Sequence, residues 1–396
     1  MKLSTVLPVA HLAFRHWHVD DDDVWVVVAK ARFVPSPDGR FRADQAPPEL
    51  RLEDEMAPGE PGYAETKHEA DLAPGKPATD VLLRALARSP GGRPRPRWGV
   101  GITVGDRLRH DFDVRGPSEW RHGLTGWRLT EPERVTEVPL CHALAYGGAG
   151  PADDDPARVE AHEANPAGRG FASSGMLKAR DPIPAPQIGY VHEFGAAGGP
   201  QAAMSVVGVT PVAKSWTPRR ALAGTFDAAW QEERHPRMPR DYDGAFWNCA
   251  HPTMQVAPPL AGAEAVELRG VSEGGPLAFA LPGVGLTLSL LRLPEGAAPA
   301  DLEGLSPEAI EAMPEAARAA AAAEAPALAR ADCETVQLPM DLTTVEIDVQ
   351  ARDASMHALT LVWTAIVRDP HRHPEATIEG VRLAPRTEAP ADAHVA

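Results

Sequence analysis

Residues 24–33 read VWVVVAKARF, and this stretch decides the fold class. Its side chains are mostly β-branched or aromatic, the types that favour a pleated, half-buried surface. An acidic cluster at residues 20–23 precedes it and Pro35 follows it, so both ends are marked by residues typical of turns. The stretch therefore predicts a β-strand close to the N-terminus.

A hairpin is predicted next along the chain. Two strand-like runs, residues 98–104 and 107–114, flank Gly105 and Asp106. A glycine at the first central position of a two-residue loop is typical of a type II′ turn. In the second run the apolar side chains and His110 alternate with charged ones, which predicts one buried and one polar face.

The same alternation returns in the C-terminal third. It occurs at residues 286–290, 345–349 and 357–367, and residues 351–355 form a plausible hairpin loop between the last two runs. The sequence therefore predicts a mainly β protein, with antiparallel, sandwich-like sheets at both ends of the chain and one or two short helices.

The middle of the chain, residues 116–259, is rich in proline, glycine and tryptophan and lacks clear periodicity. Disordered segments are poor in aromatic residues, so we expect irregular structure held by buried tryptophans and a short strand at 204–209. The tryptophans concerned are Trp120, Trp127, Trp216, Trp230 and Trp247. The chain thus divides into a β-rich portion at 1–115, an irregular middle at 116–260, a second β-rich portion at 261–383 and a disordered tail at 384–396.

One helical insertion is predicted near residues 306–330. Ser306, Pro307 and Glu308 supply an N-cap, a proline for the first helical position and an acid for the first turn. Residues 315–325 are almost entirely alanine with glutamate and arginine. The alternative is that this stretch is a low-complexity tether between strands.

Charge and composition restrict the partners. The formal net charge is -16, with 55 acidic against 39 basic side chains, so we expect no nucleic-acid partner and a preference for basic proteins. No apolar run approaches the roughly 20 residues of a membrane span. The three cysteines form no C-x-x-C pair, and no signal peptide is apparent, so we expect a cytoplasmic protein without a disulfide framework.

A cluster between residues 227 and 251 contains the residue types that bind metals: Asp227, His235, Asp241, Asp243 and His251. A metal-dependent hydrolase is therefore one alternative function. The prolines between these residues prevent an i, i+4 helical pair of ligands, and aspartates that form turns explain the acids equally well. No catalytic residue, metal or cofactor is predicted, and His68 is expected on a surface loop.

Several motifs follow one another in a fixed order. They are DLAPGKPATD at 71–80, NPAGRGF at 165–171, WTPR at 216–219, GTFD at 224–227 with Trp230, and the series Pro236, Pro239, Asp241 and Asn248. Together they resemble, over about residues 25–367, a bacterial family of unknown function found beside type VI secretion genes. Its members are regarded as adaptors or chaperones for effectors, often those with PAAR tip domains.

The resemblance implies a non-catalytic adaptor or chaperone. It would bind a type VI secretion effector, or its PAAR-type tip region, in the cytoplasm and load it onto the secretion spike, without a cofactor. A structural component of the secretion apparatus is a further alternative. The motif positions expected to hold the fold or to contact the partner are Asp71, Pro74, Lys76, Pro77, Asp80, Asn165, Gly168, Arg169, Gly170, Trp216, Arg219, Gly224, Thr225, Asp227, Trp230, Pro239, Asp241 and Asn248.

Physically, the motifs are typical of architecture. Their glycines suit tight turns or a positive φ, where a Cβ would clash, at Gly168, Gly170 and Gly224. Prolines on both sides stiffen the loop that presents Lys76, and Asp71 or Asp80 could bind its ammonium group.

Arg219 lies beside a proline and three residues after Trp216. A guanidinium group can stack on an aromatic ring or form two parallel hydrogen bonds with a carboxylate. We therefore expect Arg219 either to stack on an aromatic ring or to pair with Asp227 or Asp241, and to hold the fold together.

Overall fold

The structure is a computed structural model that describes residues 1–17, 23–194, 199–293, 333–369 and 372–382. The predicted helix near 306–330 and the predicted tail at 384–396 lie outside the described residues. The prediction of a mainly β protein is confirmed. Within the described residues no helix is both long and apolar enough to cross a membrane.

The strands of the described residues are, in chain order, β1 (Lys2–Thr5), β2 (Ala10–Trp17), β3 (Asp23–Pro35), β4 (Phe41–Ala43), β5 (Glu55–Met56), β6 (Thr66–His68), β7 (Thr79–Arg84), β8 (Leu86–Arg88), β9 (Arg97–Val104), β10 (Leu108–Arg115), β11 (Glu119–Gly123), β12 (Gly126–Leu129), β13 (Glu137–Pro139), β14 (Tyr146–Gly147), β15 (Ala149–Pro151), β16 (Val159–Ala161), β17 (Arg169–Gly170), β18 (Ile183–Pro184), β19 (Ile188–Gly189), β20 (Gln255–Val256), β21 (Ala265–Arg269), β22 (Leu277–Ala280), β23 (Val284–Arg292), β24 (Glu334–Asp348), β25 (Ala358–Val367) and β26 (Glu375–Arg382). The α-helices are short: α1 (Ser174–Ala179), α2 (Val191–Phe194) and α3 (Ala228–Glu233).

The two ends of the chain meet in one sheet. Its ten strands include the path β1-β26-β23-β24-β25-β3-β2, in which β3 pairs with β25 antiparallel and Ala29 lies opposite Trp363. The two ends therefore do not form the separate sandwiches that the sequence suggested. Strand periodicity specifies which faces are apolar but not which strands become neighbours, and the first strand-like run finds its partner more than 300 residues away.

Strand β24 changes partners halfway along its length. Its first half pairs with β23, whereas residues from Thr344 onward pair with β7 in parallel and place Thr344 opposite Asp80. The register against β25 shifts between Leu342 and Thr344, as in a β-bulge. This change places β7, at whose start the first family motif ends, directly beside β24 in the main sheet.

A second sheet of five strands runs in the order β19-β10-β9-β21-β22. The predicted alternation in β10 is confirmed, because Leu108, His110, Phe112 and Val114 are all buried. The predicted two-residue turn is wrong: Val104 pairs with Leu108, so three residues connect the strands. The amide of Arg107 donates to the carbonyl of Val104, which makes Arg107 part of the turn.

One continuous apolar core includes side chains of both sheets, among them Ala29 and Trp363 from the main sheet and Ile102 and Leu268 from the second. The middle of the chain differs from its prediction in two respects. Among its five tryptophans only Trp216 is buried, and the others keep part of their surface exposed. Residues 204–209 form no strand, so this apolar stretch packs as an irregular segment against the core.

Candidate functional site

The candidate site is built around Asp80, a fully buried carboxylate on β7. Its oxygens accept hydrogen bonds from Lys76 Nζ at 2.7 Å and Asn248 Nδ2 at 3.0 Å. The backbone amides of Cys249 and Ala250 donate to it at 2.9 and 3.1 Å. Asp80 therefore joins the first motif to the last one, although the two are 168 residues apart in the chain.

Of the two partners predicted for Lys76, the structure shows Asp80 and not Asp71. Besides Asp80, the ammonium group donates to Thr344 Oγ1 at 3.0 Å, directly across from β7. Burial disfavours the charged form of Lys76, but the neighbouring Asp80 charge and the further negative charges outweigh burial, so the pKa of Lys76 is raised. The raised pKa favours the protonated form of Lys76 at neutral pH.

Asp71 has a different partner, Lys30, which lies in the strand that decides the fold class. Lys30 Nζ is 2.7 Å from Asp71 Oδ2, and the same carboxylate oxygen accepts the amide of Arg51 at 2.7 Å. Burial lowers the pKa of Lys30. The pair ties the first motif to β3 and explains how a lysine is accommodated at a buried position of that strand.

Arg219 pairs with Glu69, so the predicted pairing with Asp227 or Asp241 is wrong. The predicted stacking on an aromatic ring is confirmed, because the guanidinium group lies over the ring of Phe246, 5.4 Å from its centroid. Two parallel hydrogen bonds of 2.6 and 2.7 Å join its guanidinium group to the Glu69 carboxylate, and both residues are buried. Arg219 also donates to the carbonyl of Val212 at 2.8 Å. Sequence spacing favoured the nearby acids, but the bidentate partner comes from a segment 150 residues earlier.

Asp227 and Asp241 hold local turns. Asp227 is the N-cap of α3 and accepts the amide of Trp230 at 2.9 Å. Asp241 accepts the amide and the hydroxyl of Thr225 at 3.0 and 2.7 Å. Both aspartates bind the backbone of a local turn, which agrees with the prediction that turn formation could explain the acids of this cluster.

The other members of the cluster are also engaged locally. Asp243 accepts the amide of Ala245 at 2.8 Å, and His251 Nδ1 lies 2.8 Å from the hydroxyl of Thr253. The ring of His235 packs edge-on against Trp230. In the parts of the chain that the structure describes, no group of three His, Cys, Asp or Glu side chains is arranged to hold a metal ion.

A second buried acid, Glu346 on β24, was not predicted from the sequence as a site residue. Arg51 Nη1 donates to it at 3.0 Å and His68 Nδ1 lies 3.4 Å from it, while Arg84 contacts both His68 and Glu346. Burial would raise the pKa of Glu346, but hydrogen bonding to His68 and the charge of Arg51 lower it to about 2. His68 is thus part of a buried network and not of a surface loop.

These groups surround a cavity of about 30 Å³, bordered by Lys76, Asp71, Glu69, Cys249 and Glu346. This space has room for one or two water molecules but not for a substrate of ordinary size.

The NPAGRGF motif holds the irregular middle. Asn165 Nδ2 donates to the carbonyls of His142 and Tyr146 at 2.9 and 3.0 Å. Arg169 Nε donates to the carbonyl of Ala143 at 3.0 Å. A Cβ at Gly168 would lie 2.7 Å from the carbonyl oxygen of Ala145, so the predicted close approach is confirmed.

The other two motif glycines have the predicted positive φ, +96° at Gly170 and +76° at Gly224. A Cβ on Gly224 would lie 3.0 Å from Pro239 Cβ and from Asp241 Oδ1. Trp216 is buried and its indole donates to the carbonyl of Gly62 at 3.2 Å. These motif residues therefore determine the path of the backbone.

Two thiols lie near these groups, the buried Cys249 and the half-buried Cys141. Burial raises the pKa of Cys249 well above its usual value, and the charge of Asp80 raises it further. Burial also raises the pKa of Cys141 to about 11. A thiol that stays protonated at neutral pH is a poor nucleophile and a poor metal ligand.

An open groove lies directly outside this buried network. It has a volume of about 340 Å³, and its lining includes Pro74 and Pro77 from the first motif and Tyr242 and Trp247 from a later segment. Lys76 connects the two features, because it lines the groove as well as the buried cavity. We call this feature the motif groove.

The comparison with protein families then gives one match. The family described as "Uncharacterized protein conserved in bacteria (DUF2169)" covers residues 20–363. The chain belongs to this family. The match includes every motif residue of the DUF2169 protein that lies in the buried network or along the motif groove. No curated protein and no solved structure matches the chain.

Proposed function

We propose that this DUF2169 protein is a non-catalytic adaptor or chaperone that binds a type VI secretion effector, or its PAAR-type tip region, and helps to load it onto the secretion spike. The resemblance of its ordered motifs to those of secretion-associated proteins suggests the pathway. The observation that best supports a binding function is the motif groove, because two separate motif segments form an open surface there.

The chemistry of the motif groove suits an apolar segment of a partner protein. Proline, tyrosine, tryptophan and Met238 side chains line it, and the tryptophan, Trp247, packs edge-on against Phe246 with ring centroids 5.4 Å apart. Beyond it, Arg237 lies over the ring of Trp17, which is 39% exposed. Aromatic and arginine side chains are the most frequent hot spots of protein interfaces.

The buried network supplies rigidity to this surface. Lys76 is anchored to Asp80 and Thr344, so the loop from Pro74 to Pro77 cannot move without breaking buried hydrogen bonds. A binding surface that is already ordered loses less conformational entropy when the partner docks. We therefore assign the buried part of the motifs to preorganising the groove and the exposed part to the partner.

The charge of the chain adds a kinetic element. A net charge of -16 favours a partner with a basic region and faster association at low salt. The apolar contact in the groove should keep the complex together when salt screens the exposed charges.

The test is co-expression of the full chain with each effector and spike protein encoded beside it, followed by gel filtration. We expect a stable complex and a higher soluble yield of the effector, because a partner that binds only the folded state stabilises it by mass action. The exposed Pro77 on the groove is changed to aspartate, and Pro77→Asp should weaken the complex by about tenfold or more, as for an interface hot spot.

Leu124→Asp is the matched control, because Leu124 is fully exposed on the β11–β12 hairpin, outside the groove. It should leave the complex intact. The adaptor proposal fails if no effector or spike protein is retained. Equal binding by Pro77→Asp and the parent would instead show that the partner docks elsewhere.

A further inference from the structure

A second pocket lies beside the five-stranded sheet, next to the ends of β9 and β10. Its volume is about 560 Å³, within the range of small-molecule sites. Its apolar walls include Pro96, Leu129, Pro132, Val191 and Phe194, and its charged groups are Arg97, Arg115, Asp113 and Glu131. None of these residues belongs to a family motif or to the motif groove.

Arg115 is the unusual member of this pocket. The residue is only 6% exposed, yet no carboxylate of the described residues lies within ion-pair distance of its guanidinium group. Its Nε is buried without a hydrogen-bond partner, and the group lies over the ring of Phe194 at 4.9 Å. Burial lowers the pKa of Arg115, in keeping with a cation that is poorly compensated.

A second arginine increases the positive charge here. Arg97 lies directly opposite Arg115 in the β9–β10 ladder, and it too has no ion pair within the described parts of the chain. Like charges that face each other across two strands destabilise a sheet. An anion between the two guanidinium groups would remove this repulsion.

The acids of the pocket are placed differently. Asp113 Oδ2 accepts the amide of Val191 at 3.1 Å and so holds the start of α2. Glu131 influences Arg115 only through its charge, and no hydrogen bond joins the two side chains. Glu131 is therefore the group that would compete with a bound anion for Arg115.

We propose that this pocket binds an organic carboxylate, with Arg115 and Arg97 as the ligands of the carboxylate and the apolar walls around its carbon skeleton. The planar guanidinium group matches the geometry of a carboxylate and can donate two parallel hydrogen bonds to it. The carboxylate comes either from a free organic acid or from the C-terminus of a polypeptide. This site is separate from the motif groove and does not depend on the adaptor function.

A family motif positions Arg115 indirectly. The backbone carbonyl of Gln187 accepts a hydrogen bond from the backbone amide of Arg115 at 2.8 Å. The side-chain amide of Gln187 donates a second hydrogen bond to the backbone carbonyl of Arg115 at 3.2 Å. Arg169, of the NPAGRGF motif, donates to the side-chain oxygen of Gln187 at 3.2 Å. These hydrogen bonds fix the backbone of Arg115 and so hold its side chain at the pocket. None of them involves the guanidinium group of Arg115.

The experiment is isothermal titration calorimetry of the full chain with defined probes. They are benzoate, N-acetyl-phenylalanine, the amide of N-acetyl-phenylalanine and inorganic phosphate. We expect both carboxylates to bind saturably and the neutral amide not to bind. Tighter binding of N-acetyl-phenylalanine than of benzoate identifies a polypeptide C-terminus as the source, and the reverse order identifies a free acid.

Three variants test the assignment. Arg97→Gln, at an exposed position, and Arg115→Lys, which keeps the charge but not the fork, should each weaken binding by about tenfold, the effect of one lost charge-assisted hydrogen bond. Glu131→Gln should strengthen binding, because it removes the competing charge. The proposal is overturned if neither carboxylate binds, if phosphate binds more tightly than both, or if Arg97→Gln and Arg115→Lys bind like the parent. It is also overturned if Glu131→Gln destabilises the fold, since Glu131 would then be the partner of Arg115.

Discussion

Buried cations are compensated in one region of this protein and not in another. Around β7, Lys76, Lys30 and Arg219 each have a carboxylate oxygen within 2.7 Å. Arg115, on β10, is also buried, at 6% exposure, and has no such partner in the described residues. A satisfied buried pair holds a structure together, whereas an unsatisfied buried charge remains available to a ligand. The presence or absence of a carboxylate partner therefore distinguishes buried cations that stabilise the fold from one that can bind a ligand.

The largest effect is expected where the pairing is most complete. Asp80→Asn keeps the shape of the side chain but leaves the Lys76 ammonium buried without an opposite charge. We expect the free energy of unfolding to fall by about 3–5 kcal/mol, the usual cost of breaking a buried pair. Urea unfolding measures it, with Asp227→Ala as the control, because loss of an exposed helix cap costs about 1 kcal/mol.

If the two variants lost the same stability, the contrast between a buried network and a surface turn would disappear. The network would then be no more important for folding than the cap of α3.

An intermediate effect on the free energy of unfolding is expected when the pH is lowered. In mild acid the histidines that are buried in the folded protein become protonated when it unfolds, whereas the buried carboxylate Glu346 stays ionised. Burial first, and then the charges of His142 and His110, lower the pKa of His251 to about 4. Between the ordinary value of 6.5 and this value the unfolded chain binds more protons, so stability should fall as the pH falls through that window. Glu346, with a pKa of about 2, stays ionised there, so the network is not yet affected.

His251→Asn tests this, since asparagine can still cap the turn that follows but does not titrate. The variant should recover on the order of 2 kcal/mol of the stability that the parent loses between about pH 7 and pH 4.5. The check is the free energy of unfolding at both pH values. An unchanged pH dependence would assign the loss to His110 and His142, whose pKa values burial also lowers.

The smallest effect is expected at Arg115. Arg115→Met retains most of the volume and removes a buried cation without leaving a carboxylate unpaired. We expect the free energy of unfolding to change by no more than about 1 kcal/mol in either direction. Urea unfolding without added carboxylate measures it. A loss as large as that of Asp80→Asn would mean that Arg115 has a structural partner, and the contrast between the two regions would be wrong.

Much of the local structure could be predicted because it depends on neighbouring residues. The strand at residues 24–33 and the alternating faces of β10 follow from side chains that point to opposite sides in turn. The positive φ of Gly170 and Gly224 follows from motifs in which a side chain would clash. The pairing of Lys76 with Asp80 was within reach because the two are only four residues apart.

The candidate site was predicted less completely, since its partners lie far apart in the chain. Arg219 was expected to pair with an acid nearby, but its partner is Glu69. Glu346 and His68 carry no sequence signal, because a lone acid in a strand and a lone histidine between charged residues are most often exposed.

By itself, the sequence determined that the chain is mainly β, where several of its longer strands run, which glycines need unusual backbone angles and that its net charge is negative. Only the tertiary structure decided that the strands of both ends share one sheet, that Lys30 and Arg219 are paired, and that Arg115 has no carboxylate partner among the residues that the structure describes. The physical reason is range. Periodicity and backbone preference act over a few residues, whereas the compensation of a buried charge depends on which distant strand or loop the fold places beside it.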